Sequence, residues 1–234
     1  MYHSAMALYP DARRDEFLLP LKKLNLKPGD LLIDLPSGGG YLHRYLPANV
    51  QVHCLESSQA FADYCQQQKL KVSLYHQHHL PLSDQYADAL ISIAGLHHIR
   101  DKQPLFQSIF RVLKPSGQLC ITDVEQGSAV AGFLDDIVDR YSQTGHRGRF
   151  LNTVTAEQLS EVGFQGIQWE RLNYPWYFAD EASVLNYFQL LFGLEKASLE
   201  QVGQGIDQYL NRQITPSGIQ VNWQLLCLTA HRLA

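Results

Sequence analysis

Leu31-Leu32-Ile33-Asp34 is an apolar run closed by an acid, and it passes through Leu35-Pro36-Ser37 into three consecutive glycines, Gly38-Gly39-Gly40. The run predicts a buried strand, and Tyr41-Leu42-His43-Arg44-Tyr45-Leu46 predicts a helix directly after the glycines. Strand, glycine turn and helix together bring backbone N–H groups and a positive helix end against a ligand, as nucleotide-type sites do. A strand-turn-helix without a ligand has the same local pattern. The spacing is not the Gly-x-Gly-x-x-Gly of a dinucleotide fold, because His43 stands where the third glycine belongs.

The residues that follow repeat the alternation of strand and helix. Val50-Gln51-Val52-His53-Cys54-Leu55-Glu56 reads as a second strand ending in an acid, with Ser57-Ser58 placed to cap the next helix. Glu56 lies about twenty residues beyond the first strand, the spacing at which a carboxylate accepts ribose hydroxyl hydrogens. Lys71–Tyr75 reads as a third strand, running into His76-Gln77-His78-His79, and Ala87–Gly95 is apolar enough for a central parallel strand. Phe106, Ile109, Phe110 and Leu113 predict an amphipathic helix, Lys114–Gly117 a turn, and Gln118–Asp123 a fifth strand. Upstream, a helix is read over 10–24 with a break at Pro20. Downstream come a helix over 128–144, a basic loop at 145–149, and a short helix capped from Thr155 and closed by Gly163. After these lie a strand over 166–172, helical patterns over 182–192 and 198–210, and a last strand over 223–230.

Three sets of residues in this order carry a resemblance. Asp34-x-Pro36-x-Gly38-x-Gly40, then Glu56, then Leu96-His97-His98-Ile99 with Arg111-Val112-Leu113-Lys114-Pro115-Ser116-Gly117 resemble the class I S-adenosylmethionine-dependent methyltransferases of the small-molecule, quinone-biosynthesis type. The likeness covers about Leu24 to Asp123, and Pro36 departs from it by replacing the first glycine of the loop.

The resemblance implies a Rossmann-like α/β three-layer sandwich with a mostly parallel seven-stranded sheet and an antiparallel last strand. It implies one methyltransferase domain over 1–234, an N-terminal helical lid over 1–27 and a helical cap insertion over 173–215. The implied methyl donor is S-adenosylmethionine, leaving S-adenosylhomocysteine, with Asp34, Pro36, Ser37, Gly38, Gly40, Glu56, Ser57, Ala94 and Gly95 around it. His76 and Gln77 stand where the family has an adenine-binding Asp; both can accept a hydrogen bond. Tyr9 and Arg13 in the lid, with Tyr141, His146, Arg147 and Trp176, are candidates to contact a small organic acceptor.

His97 and His98 are candidate general bases, since imidazole accepts a proton near neutral pH; packing at a helix entry is the alternative for both. No metal is expected, because adjacent histidines project differently from a strand or helix and no Asp or Cys set at zinc spacing joins them. A net charge of −4 and the lack of a long basic run disfavour nucleic acid. No apolar segment is long enough to span a bilayer, and the first ten residues do not resemble a signal peptide. With four widely spaced cysteines read as buried and reduced, this places the chain in the cytoplasm. Two other functions share the fold: an RNA or protein methyltransferase, and a non-catalytic binding scaffold. The sequence leaves the oligomeric state open.

Overall fold

The computed structural model describes residues 1–76 and 78–233. The chain packs as two compact units. One holds Phe17–Asp123, Leu151–Glu170 and Leu226–Ala234; the other holds Met1–Glu16, Val124–Phe150 and Arg171–Leu225.

The first unit is organised on a seven-stranded sheet. Its strands are β1 (Leu31–Asp34), β2 (Gln51–Glu56), β3 (Lys71–Leu74), β4 (Ala87–Ile93), β5 (Leu113–Asp123), β6 (Phe164–Asn173) and the final strand β10 (Gln224–Arg232), in the order β3-β2-β1-β4-β5-β10-β6. Strands β1 to β5 pair in parallel, and β10 runs antiparallel to β5 with Leu226 opposite Asp123 and Leu228 opposite Ile121. One sheet face, with Ile33, Leu35, Leu55, Leu90 and Ile121, packs on the helix Gln103–Val112. That helix buries Leu105, Phe106, Ile109 and Val112, an apolar stripe at helical spacing. Each such side chain contributes about 1.5–3 kcal/mol of burial. Because β1, β2, β4 and β5 share a direction, Asp34, Glu56, Ile93 and Asp123 end on one edge of the sheet, where open α/β folds bind ligands.

Local details differ from the sequence reading for identifiable reasons. The glycines lead into a 3-10 helix, Tyr41–Tyr45, instead of an α-helix. His43 accounts for the tightening: its backbone N–H bonds the Gly40 carbonyl at 3.2 Å and its Nδ1 lies 2.6 Å from the same oxygen. Five residues of 3-10 helix carry little aligned dipole, so the positive helix end expected there is absent. The helix read from Thr155 spans Thr153–Val162, started by Asn152, whose N–H bonds Thr155 Oγ1 at 3.2 Å, and ended by Gly163 at φ 113°. The helix read over 10–24 is Arg14–Leu21, and a separate helix, Tyr2–Leu8, precedes it.

Within the second unit, the helical patterns read over 182–192 and 198–210 are present as Glu181–Phe192 and Leu199–Tyr209. The unit also contains an antiparallel sheet of β7 (Trp176–Phe178), β8 (Arg212–Thr215) and β9 (Gly218–Val221), in the order β7-β9-β8. Both helices are capped. Asp180 Oδ1 accepts from Ser183 N at 2.8 Å to open Glu181–Phe192, and Ser198 with Gln201 forms a reciprocal cap on Leu199–Tyr209. The core is aromatic: Trp176 stacks on Trp223 with centroids 4.2 Å apart and meets Tyr187 and Phe188 at 5.6 and 5.3 Å. No helix among the described residues is long and apolar enough to cross a membrane.

Candidate functional site

The site is built at the carboxyl ends of β1, β2, β4 and β5. Gly38, Gly39 and Gly40 take φ of 57°, 95° and 78°, three successive left-handed residues that only glycine adopts without strain. Gly40 is also held by space, since a Cβ there would lie 2.4 Å from Leu70 Cδ1. The chain enters this turn through a cis Leu35–Pro36 bond.

Asp34 and Glu56 are the two acids of the turn, and both are buried. Glu56 Oε1 accepts the Ser37 hydroxyl at 2.7 Å and the Gly39 N–H at 3.0 Å, which ties the end of β2 to the glycine loop. Burial pushes the Glu56 carboxyl above its ordinary range, while the bonds from Ser37, Gly39 and Gly38 oppose this. Asp34 is pushed up further, first by burial and then by the neighbouring Glu56. Its Oδ2 has no hydrogen-bond partner among the described residues. A buried acid with an orphaned oxygen beside a second buried acid is relieved by a cation. S-adenosylmethionine carries an ammonium and a sulfonium, so the residues present fit that group.

The end of β4 closes the other side of the loop. Ala94 sits at φ 49°, an uncommon conformation for a residue with a side chain, and its N–H bonds the Thr122 carbonyl at 2.8 Å. A Cβ on Gly95 would meet Pro36 Cγ at 2.4 Å, so the proline that departs from the family pattern packs where residue 95 has no side chain.

Beyond Gly95 the chain makes a short 3-10 turn, Leu96–His98. Contrary to the expectation that adjacent histidines diverge, the rings of His97 and His98 lie side by side, centroids 4.1 Å apart. His97 is buried and His98 exposed. Asp123, at the end of β5, accepts from the backbone N–H of Leu96 and His97 through Oδ2 at 2.7 and 3.0 Å, and its Oδ1 lies 2.6 Å from His97 Nδ1. The sequence reading missed Asp123 as a site residue. Its signal was an acid at the end of a parallel strand, the same signal as Asp34 and Glu56.

The remaining candidates are more scattered. Ser57 and His76 are exposed, and His76 pairs with His79 in an isolated bridge; Gln77 lies outside the described residues. In the second unit Arg13 is buried and forms two bonds to Glu16, at 2.9 and 2.7 Å, with a third to Tyr2 at 3.2 Å. Trp176 Nε1 donates to the same Glu16 carboxylate at 2.9 Å. Arg13 and Trp176 are therefore core members of that unit. Tyr9 takes a bond from Asn186 at 2.9 Å, Tyr141 lies beneath the Arg140 guanidinium, His146 faces Asp135 at 3.5 Å, and Arg147 is exposed.

Comparison with known proteins places this geometry. Residues 33–121 match the methyltransferase domain family. The chain is 38% identical over 105 residues to the probable tRNA methyltransferase 9B of Bos taurus, an alignment covering 41% of this chain and 21% of that protein. The chain thus spans about a fifth of the length of that relative. It is 28% identical over 182 residues to the demethylmenaquinone methyltransferase of Lactobacillus johnsonii, covering 65% of this chain and 75% of the relative. In fold it is similar to the YcgJ protein of Bacillus subtilis, with a TM-score of 0.69 at 13% identity over 94% of this chain and 99% of the other. Residues 33–121 thus carry a methyltransferase domain, and the glycine turn, the two buried acids and the sheet order around it are similar to those of the class I S-adenosylmethionine-dependent methyltransferases.

Proposed function

We propose that the chain moves a methyl group from S-adenosylmethionine to a small organic acceptor, at oxygen, nitrogen or carbon. The observation that carries this is the pair of buried acids, Asp34 and Glu56, at adjacent strand ends around three left-handed glycines. Asp34 would take the ammonium and Glu56 the ribose hydroxyls, with Pro36, Ser37, Gly38, Gly40, Ala94 and Gly95 lining the loop. Ser57 and His76, which follow the ends of β2 and β3, would contact the ribose and adenine. The bound donor supplies an electrophilic methyl; the chain's own residues orient it and exclude water, which is most of what an in-line displacement needs.

A small acceptor is preferred because the demethylmenaquinone methyltransferase aligns over most of both chains, whereas the tRNA methyltransferase aligns over a segment of 105 residues. The net charge of −4 points the same way. The tRNA reading has its own support in the higher identity, 38%, of that segment. Among the aromatic residues of 174–192, Trp176, Tyr187 and Phe188 are fully buried core and give no support to an aromatic acceptor. Transfer of labelled methyl from S-adenosylmethionine, offered in parallel to reduced demethylmenaquinone, dimethylglycine and bulk tRNA, tests the reading. Label in a small molecule is the expected result; label in tRNA alone, or in none of them despite donor binding, contradicts it.

A further inference from the structure

His43 stands three residues beyond Gly40, where a dinucleotide loop carries its third glycine. Its half-buried ring turns back on the loop. Nδ1 lies 2.6 Å from the Gly40 carbonyl oxygen, and the backbone N–H of the same residue bonds that oxygen at 3.2 Å. A carbonyl only accepts, so Nδ1 carries the hydrogen. The Gly40 oxygen, with two lone pairs, is thus taken twice by one residue. In an α-helix it would take the N–H of residue 44, four places on. With His43 on it from both backbone and side chain, the turn closes three places on, and Tyr41–Tyr45 is a 3-10 helix.

The consequence is electrostatic. A glycine loop that opens an α-helix presents a positive helix end, and that end holds pyrophosphate in dinucleotide folds. This loop has the three left-handed glycines but not the α-helix. Its acids, Asp34 and Glu56, are both buried and favour a cation. Gly40 itself is held on its other side: its N–H bonds the Ser37 carbonyl at 3.0 Å, and a Cβ on it would lie 3.4 Å from both Cys54 Sγ and Cys65 Sγ. The contact that decides how the turn closes is therefore the one from the His43 ring.

We propose that His43 is a specificity-determining residue of the donor site. By taking the Gly40 carbonyl it keeps the glycine turn from opening an α-helix, and so selects a donor that bears an ammonium and no phosphate over nucleotides that bear a pyrophosphate. This rests on the methyl-donor reading and deepens it, since it names what the loop rejects and the side chain that rejects it.

Two substitutions separate selection from packing. His43→Ala removes Nδ1 and brings in the best helix former, which leaves the Gly40 oxygen to residue 44. His43→Asn offers an N–H from the same δ position of the side chain and keeps the bond. Titration calorimetry of the wild type and both variants is run with S-adenosylhomocysteine and, separately, with ADP. ADP keeps the adenosine half of the donor and replaces the amino-acid half by a pyrophosphate. A variant that merely loosens the loop loses both ligands together, so the ratio of the two affinities reports on selection. In His43→Ala the ratio should shift toward ADP by about tenfold, the scale of a charge effect at a helix end. S-adenosylhomocysteine should bind more weakly there and ADP more tightly, while His43→Asn keeps the wild-type ratio. Nitrogen NMR of histidine-labelled wild type, with His43 assigned by its loss in His43→Asn, should show neutral His43 as the Nδ1–H tautomer. An unchanged ratio in His43→Ala, an equal shift in His43→Asn, or an Nε2–H tautomer overturns the proposal. A wild type that binds no S-adenosylhomocysteine removes the methyl-donor reading and the selection with it; a wild type that binds it, with the ratio unmoved in His43→Ala, removes the selection alone.

Discussion

Gly95 and Pro36 form a matched pair: the absent side chain of one is the space occupied by the ring of the other, with an ideal Cβ on residue 95 only 2.4 Å from Pro36 Cγ and 2.6 Å from Cδ. The loop's departure from the family pattern is thus accommodated from the end of β4. Gly95 itself has an ordinary φ of −137°, so the constraint is space and not backbone conformation. Gly95→Ala must move a rigid ring, and overpacking of this kind costs about 1–3 kcal/mol. The expected outcome is a loss of about tenfold in S-adenosylhomocysteine affinity, recovered when Pro36→Gly is added. Calorimetry on the single and double variants checks it, and additive losses would show that the two positions are independent.

In the second unit, Glu16 is the acceptor for both the Arg13 guanidinium and the Trp176 indole, and neither Arg13 nor Glu16 reaches solvent appreciably. Glu16→Gln keeps an oxygen for Trp176 and leaves the guanidinium without its countercharge. Breaking a buried pair from one side costs about 3–5 kcal/mol, so Tm is expected to fall by about 6–15 °C for a chain of this size. Adding Arg13→Met, which removes the stranded charge, should restore most of the loss. Thermal unfolding followed by circular dichroism decides between this and a neutral surface-like response.

His53 on β2 is buried, with Tyr86 Oη and Ser73 Oγ each 2.9 Å from a ring nitrogen. Burial first, and the Lys71 ammonium second, lower its pKa to about 4 from 6.5. The folded state therefore keeps His53 neutral where the unfolded chain would protonate it. Stability is complete above about pH 6.5 and declines as pH falls from 6.5 to about 4, by about 2–3 kcal/mol. Urea unfolding at pH 7.5, 6, 5 and 4 should show this slope, flattened in His53→Gln. A slope unchanged by the substitution would assign the acid sensitivity to other groups.

How far the sequence carries the structure depends on the range of the contacts involved. The β1 loop was legible because its determinants are adjacent: an apolar run, an acid, and glycines whose positive φ explains why no other residue stands there. Glu56 was legible because its spacing from β1 reflects one strand-helix-strand unit. The pairing of Asp123 with His97 was not, since the two are brought together only by the register of β4 on β5, with Ile93 opposite Thr122. The helices over 182–192 and 198–210 were legible from their spacing, but strands as short as Trp176–Phe178 and Arg212–Thr215 were not, because they carry too few residues for an alternating pattern to stand out. Trp176 was a candidate for acceptor contact, yet aromatic side chains serve equally well as core, and Trp176 does so together with Tyr187 and Phe188.

The central claim is that the Asp34–Glu56 loop holds the methyl donor, and titration calorimetry with S-adenosylhomocysteine measures this without knowledge of the acceptor. One saturable site is expected in the wild type, with affinity reduced at least tenfold in Asp34→Asn, where the orphaned buried oxygen of Asp34 can no longer meet the ligand's ammonium as a carboxylate. A wild-type protein that is folded and binds neither S-adenosylhomocysteine nor S-adenosylmethionine would contradict the account.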